Sequence, residues 1–206
     1  MTRAVVFDLF ETLVDYDDAR SREFSARVAR FCGRDPDEFQ PVWVASRPLR
    51  DTGPMAPYLA SLGLGEDEIA GVLELRRDWT RGTLASPKGA AIETLREVRA
   101  RGLRTGLITV CSEDTVDVWP ETPFAGLFDV EVFSCSCGLR KPDPRIYELA
   151  LEQLGVEPGE AIFVGDGAND ELAGAERVGM RAVQAWKRDD WNGERIDSLE
   201  ELLDLL

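Results

Sequence analysis

The chain has 206 residues, of which 44% are hydrophobic and 31% charged, a composition that fits one globular domain, alone or with a smaller insert, and excludes a disordered chain. Its formal net charge of −15 argues against nucleic acid and anionic membrane surfaces as partners, but not against an anionic substrate, because a metal ion and one lysine can set the local sign inside a pocket. The absence of histidine removes Ser–His and Cys–His nucleophilic designs and the commonest metal ligand, so hard oxygen donors point to Mg²⁺ rather than Zn²⁺.

In chain order, the first apolar run, Ala4 to Phe7, stops at Asp8. It reads as a buried strand and is too short for a signal peptide or a membrane span. From about Tyr16 to about Leu84 the pattern is helical. Phe24, Val28 and Phe31 share one face, and Ile69, Val72, Leu73 and Leu75 another, with Arg47-Pro48, Gly53-Pro54 and Gly63-Leu64-Gly65 as punctuation. Ala91, Ile92, Leu95 and Val98 then predict a helix between Pro87 and Gly102. Leu107 and Ile108 form a strand ending at Thr109, and Val130 to Phe133 is a weaker strand candidate. Asp143 and Pro144 read as the N-cap and first residue of a helix that stops at Gly155. Ala161 to Val164 stops at Gly165 and Asp166, a helix runs from about Glu171 toward Val178, and Ala182 to Trp186 is a further weak strand. Leu199 to Leu206 reads as an amphipathic tail helix that packs on the sheet, with a dimer contact as the alternative, so the state is monomer or homodimer.

Strands alternating with helices imply an α/β fold with a doubly wound parallel, Rossmann-like sheet. The expected organisation is a core of residues 1–15 and 85–206 with a helical cap, 16–84, inserted after the first strand. Its hinges fall near Val14 to Asp17 and near Ala85 to Gly89. Cys32, Cys111, Cys135 and Cys137 match no zinc or Cys-x-x-Cys spacing and are expected to be reduced thiols in a cytoplasmic protein.

Ligands of an open parallel sheet bind beyond the carboxyl ends of its strands, where Asp8, Thr109 and Asp166 would converge. Any one of them alone is as readily a cap or a turn former. Together with Asp170 they carry a resemblance. The segments Val-Val-Phe-Asp8-Leu-Phe-Glu-Thr12-Leu, Gly-Leu-Ile-Thr109, Gly-Leu-Arg-Lys141-Pro-Asp-Pro and Val-Gly-Asp166-Gly-Ala-Asn-Asp170 resemble, in order and spacing, those of the haloacid dehalogenase superfamily of hydrolases. The likeness is to the subfamily with a helical cap between the first and second segments.

That resemblance implies an Asp8 nucleophile forming an aspartyl intermediate on a small phosphorylated metabolite. It implies Mg²⁺ held by Asp8, the carbonyl of Phe10, Asp166 and Asp170, some through water. Lys141 would pair with Asp8 and a phosphoryl oxygen, Thr109 would donate its hydroxyl to another, and amides near Phe10 and Val110 would complete the cradle. As plain alternatives, Lys141 is a solvated loop lysine and Thr109 only ends a strand.

The sequence departs from the family's phosphatases at Phe10, where many carry a second Asp that protonates the leaving group. Three readings stay open. One is a 2-haloacid dehalogenase-type enzyme, whose leaving halide needs no acid and which uses no metal. Another is a phosphatase of acyl or aryl phosphates, or one that borrows an acid from Glu11 or the cap. The third is a silent binding protein. A phosphonate-cleaving relative is disfavoured because residues 16–84 contain no lysine. Arg47 and Arg50 near the cap tip are read as a solvated face, with an anionic part of the substrate as the sharper alternative. Asp15, Asp17 and Asp18 are read as a solvated hinge rather than a second metal site.

Overall fold

The computed structural model describes residues 1–16, 18–186 and 191–206, without the side chains of Asp18 and Arg20. In chain order the elements are β1 Ala4–Phe7, α1 Asp18–Phe31, α2 Pro36–Ala45, α3 Arg47–Arg50, α4 Met55–Ser61, α5 Glu66–Leu84, α6 Ala91–Ala100, β2 Arg104–Thr109, α7 Glu113–Val118, β3 Val130–Phe133, α8 Ser134–Cys137, α9 Pro144–Leu154, β4 Ala161–Gly165, α10 Glu171–Arg177, β5 Arg181–Ala185 and β6 Glu194–Ile196. The six strands form one sheet in the order β3-β2-β1-β4-β5-β6, with every neighbouring pair parallel. This is the expected doubly wound α/β fold.

The apolar runs lack polar alternation because both sheet faces are covered. In β1, Val5 and Phe7 enter one core cluster while Ala4 and Val6 enter the other; Ile162 and Val164 of β4 oppose Ala161 and Phe163 in the same way. Strand β1 is central. Phe7 aligns with Leu107 on one side and with Val164 on the other, so the chain winds outward from β1 to β3 and then crosses back to β4. The crevice between β1 and β4 is therefore the switch point at which open sheets bind ligands.

Between β1 and β2 lie only helices among the described residues; α6 packs on the sheet, whereas α1 to α5 carry a separate apolar cluster that includes Phe24, Phe39, Trp43, Leu59, Val72 and Trp79. The two chain crossings into this layer run side by side: Val14 and Pro87 form an antiparallel bridge, and the Lys88 amide donates to the Leu13 carbonyl at 2.8 Å. Asp17, in the expected hinge, lies outside the described residues, as does the Asp18 side chain. Asp15 is largely exposed and paired with Lys88 at 2.8 Å.

Elsewhere the caps behave as expected. Asp143 accepts from the Arg145 amide at 3.0 Å, and Gly155 ends α9 in the left-handed region at φ 63°. Three details differ from expectation. β5 ends at Ala185 because Trp186 takes φ 62°, which no strand residue holds. The three-residue β6 was not anticipated. The tail is a 3₁₀ turn, Leu199–Asp204, which buries Leu199 and Leu202 in the core cluster that also holds Leu95 and Val98 of α6.

Candidate active site

The parallel registers bring the carboxyl ends of β1, β2 and β4 to one edge, and with them Asp8, Thr109 and Asp166. All three are buried. Lys141, which precedes α9, enters from below: its Nζ donates to Asp8 Oδ1 and, at 2.5 Å, to Glu171 Oε2. It is therefore not a solvated loop lysine; its side chain is only 3% exposed. Thr12 Oγ1 donates to the other Asp8 oxygen at 3.1 Å, so both oxygens of the expected nucleophile are held. The Thr109 hydroxyl is buried and makes no hydrogen bond. An orphaned buried hydroxyl costs about 1–3 kcal/mol, so this one stands out at the end of a strand whose next residue, Val110, lines the cavity.

The acidic set differs from expectation at one residue. Asp8, Asp166 and Glu171 each present an oxygen such that the three atoms lie within 4.8 Å of one another, all buried. Asp170 is exposed and outside this group. Asn169 and Asp170 both adopt left-handed backbone, φ 55° and 56°, so the turn ends on Asp170 as the cap of α10 and delivers Glu171, the first helical residue, into the site. Gly165 makes the space: a Cβ there would lie 2.8 Å from the Glu171 Cδ. Glu171 is further fixed by the Gly167 amide, which donates to its Oε1 at 3.0 Å. Sequence reading missed Glu171, although a second acid one position beyond Asp170 was the available signal.

Three buried carboxylates cluster together and one ammonium, that of Lys141, pairs with two of them, so negative charge is in excess. Burial, and then the neighbouring Asp8 charge, push the Glu171 carboxyl up to about 8 despite the opposing Lys141. Burial likewise raises Asp8, with Lys141 partly offsetting it. Although burial disfavours its charged form, Lys141 is held above the usual lysine range by Asp8 and Glu171. A hard divalent cation fits this donor set: oxygen-only ligands, closely spaced, and short of positive charge.

Above this acidic floor is a cavity of about 730 Å³, roofed by the helical layer. Phe10 and Val110 line it, and Phe10 is half-buried with its ring edge-on to Tyr16 at 5.9 Å. Trp43 and Trp79 are buried core residues of the helical layer, and Trp43 also reaches the cavity. Arg50 is not a solvated residue: it is buried, stacks on Trp43 at 3.9 Å and donates to the Trp43 carbonyl at 2.9 Å. Arg47 is exposed, and it too lines the cavity.

Residues 2–179 match the sequence family described as haloacid dehalogenase-like hydrolase. The chain belongs to that family. The haloacid dehalogenase-like chain described here is 29% identical to the pyrophosphatase PpaX of Bacillus velezensis over 89% of its own length and 83% of that protein's. Other relatives are named as phosphatases of glyceraldehyde 3-phosphate and of phosphoglycolate. In fold it is similar to a phosphatase from Thermococcus onnurineus, with a TM-score of 0.74 at 24% identity, covering 99% of this chain and 97% of that one. It is also similar to a 2-haloacid dehalogenase from Pseudomonas syringae, with a TM-score of 0.71 at 24% identity, covering 100% and 98%. At such identities the structural likeness speaks to fold alone. The named sequence relatives favour phosphatase over dehalogenase for this hydrolase. No helix among the described residues is long and apolar enough to cross a membrane.

Proposed function

We propose that this hydrolase is a Mg²⁺-dependent phosphatase that acts on a small phosphorylated metabolite through an aspartyl phosphate on Asp8. The observation that carries the reading is the buried Asp8–Asp166–Glu171 group with Lys141 set into it. Asp8, Asp166 and Glu171 would hold the ion together with the Phe10 carbonyl, and the exposed Asp170 would not be a ligand. Bound there, Mg²⁺ would supply the positive charge that offsets the repulsion of two anions, the carboxylate and the phosphoryl group.

Asp8 attacks phosphorus; the bond from phosphorus to the leaving oxygen breaks and its electron pair departs with that oxygen. A water then attacks the same phosphorus, releasing inorganic phosphate and restoring the carboxylate. Lys141, kept protonated, fixes the Asp8 carboxylate and offers charge to a phosphoryl oxygen. Thr109 donates its unpartnered hydroxyl to another. The helical layer is the cap, residues 16–84, that closes over the core and selects the substrate.

Phe10 transfers no proton, so the leaving group must depart as a stable anion, as an aryl or acyl phosphate does. Glu11 is a poor substitute acid: its carboxylate accepts from the Tyr16 amide at 2.5 Å, and its backbone sits at φ 63°. A metal-free dehalogenase is favoured by Phe10 alone and disfavoured by the three buried carboxylates. A silent binding protein has no use for a nucleophile and lysine held so closely.

Release of phosphate from p-nitrophenyl phosphate, measured with Mg²⁺ and with EDTA beside halide release from 2-chloropropionate, tests the reading. Mg²⁺-dependent phosphate release is expected. Metal-independent halide release would overturn it.

A further inference from the structure

The cavity is electrically two-sided. Its floor carries Asp8, Asp166 and Glu171, and its roof carries Arg22, Arg47, Arg50 and Arg76 with Asp51 among them. In a chain of net charge −15 with 24 basic residues, four arginines facing one cavity opposite its acidic floor are a concentration that solubility does not explain.

Two of the four are occupied within the fold. Arg76 pairs with the buried Asp114 at 3.1 Å and lies over Trp79 at 4.3 Å. Arg50 is held by Ser46, the Trp43 carbonyl and the Trp43 ring, and burial lowers it to about 10. The other two form no close ion pair among the described residues, although Asp51, which also lines the cavity, is within electrostatic reach of Arg47. Arg47 reaches the Tyr16 hydroxyl, at a long 3.4 Å, and the Tyr16 ring at 5.8 Å. Arg22 stands on α1, which also carries Ser21, and Ser21 Oγ lies 2.8 Å from the Tyr16 hydroxyl. The core side adds a further donor. Arg140, adjoining Lys141, lines the cavity with a buried Nε that has no hydrogen-bond partner among the described residues, and its ion pair there is a loose 3.7 Å contact with Asp51.

Between floor and roof the wall is aromatic. Phe10 meets Tyr16 edge-on at 5.9 Å, and both line the cavity. Its volume of about 730 Å³ exceeds what a phosphoryl group and one or two carbons would fill.

We infer that the substrate carries a second anionic group, a carboxylate or a second phosphate, joined to its phosphoryl group by an apolar or aryl spacer, and that Arg47 and Arg22 of the roof bind this distal anion with Arg140 beside it. The inference rests on the phosphatase reading and deepens it. The floor takes the reacting phosphoryl with its metal, the rings pack on the spacer, and the guanidinium forks take the far charge by paired hydrogen bonds. An aryl spacer also suits the absent general acid, since a phenolate departs without protonation.

Binding and turnover separate the two claims. In Mg²⁺, titration calorimetry with 4-(carboxymethyl)benzylphosphonate and its carboxamide, which differ only in distal charge, should show the carboxylate binding about 10-fold tighter or better. The 4-phosphonomethyl analogue distinguishes a phosphate-type from a carboxylate-type distal group. In Arg47→Ala and Arg22→Ala that preference should collapse toward one, with Arg47→Lys restoring part of it. Equal binding of the carboxylate and carboxamide by the unaltered protein, or a preference that survives both alanine variants, overturns the inference. Turnover of the matching aryl phosphates is measured alongside. If none is hydrolysed while the carboxylate preference stands, the phosphatase reading fails and the arginine assignment holds; if all are hydrolysed without preference, the reverse is true.

Discussion

Asp8 is gripped through both carboxylate oxygens, by Lys141 on one and Thr12 on the other, and it is only 6% exposed. An anion so placed is a well-aimed nucleophile. Asp8→Asn keeps the size and removes the attacking charge, so turnover of p-nitrophenyl phosphate should fall on the order of 10³-fold or more while the circular dichroism spectrum is unchanged. Substantial residual activity would remove Asp8 from the mechanism. A sharper contrast concerns the second acid. Glu171→Gln should raise the Mg²⁺ concentration for half-maximal activity by about 10-fold or more, whereas Asp170→Asn should leave it nearly unmoved, because Asp170 is exposed and Glu171 is among the buried oxygens. The opposite ranking would restore the ligand set that the family resemblance implied. Phe10 allows a third test at this scale. Phe10→Asp places a carboxyl beside the cavity, and if the missing acid limits the reaction, turnover should rise more for alkyl than for aryl phosphates.

The elements explain which parts of this site could be foreseen. Strand ends were legible because a run buried on both faces must stop where polar chemistry begins, as it does at Asp8, Thr109 and Asp166. The cap of α9 was legible because Asp143, Pro144 and Gly155 each act within one turn of their own backbone. What was hidden depends on backbone geometry that residue types do not announce. The paired left-handed residues Asn169 and Asp170 rotate the start of α10, and only then does Glu171 replace Asp170 in the site. Strand β6 is short, held at its start by the Arg181–Glu194 ion pair at 2.5 Å, and no periodicity marks three residues. Gly165 links the two levels, being the last residue of β4 and the space into which Glu171 folds. Gly165→Ala should therefore cost stability by about 1–3 kcal/mol, as overpacking does, and should also weaken Mg²⁺ binding. Urea melts with and without Mg²⁺ read both effects, and a variant that loses stability without losing metal affinity would show that Glu171 does not depend on that space.

Across the whole molecule, an acidic protein keeps a carboxylate floor and an arginine-bearing roof within one cavity, and the floor's charge imbalance has a consequence for global stability. The folded state holds the Glu171 proton until about pH 8, while in the unfolded chain the same carboxyl titrates near its ordinary value of 4.5. Between those values the folded state binds more protons than the unfolded one, so stability in EDTA should fall as pH rises from about 4.5 to about 8 and level off above. The raised Asp8 adds a loss of the same sign. The raised Lys141 works in a different window: its contribution is complete below the ordinary lysine value of 10.5 and is lost only above it. On the proposed reading Mg²⁺ would bind the deprotonated carboxylates and release that proton, so its stabilisation should grow as pH rises through the same interval. Thermal melts at pH 5, 6, 7 and 8, each with Mg²⁺ and with EDTA, should therefore diverge toward the alkaline end. A gap between the two curves that stays constant with pH would mean that Glu171 is already ionised in the metal-free fold, and that Lys141 alone balances the floor.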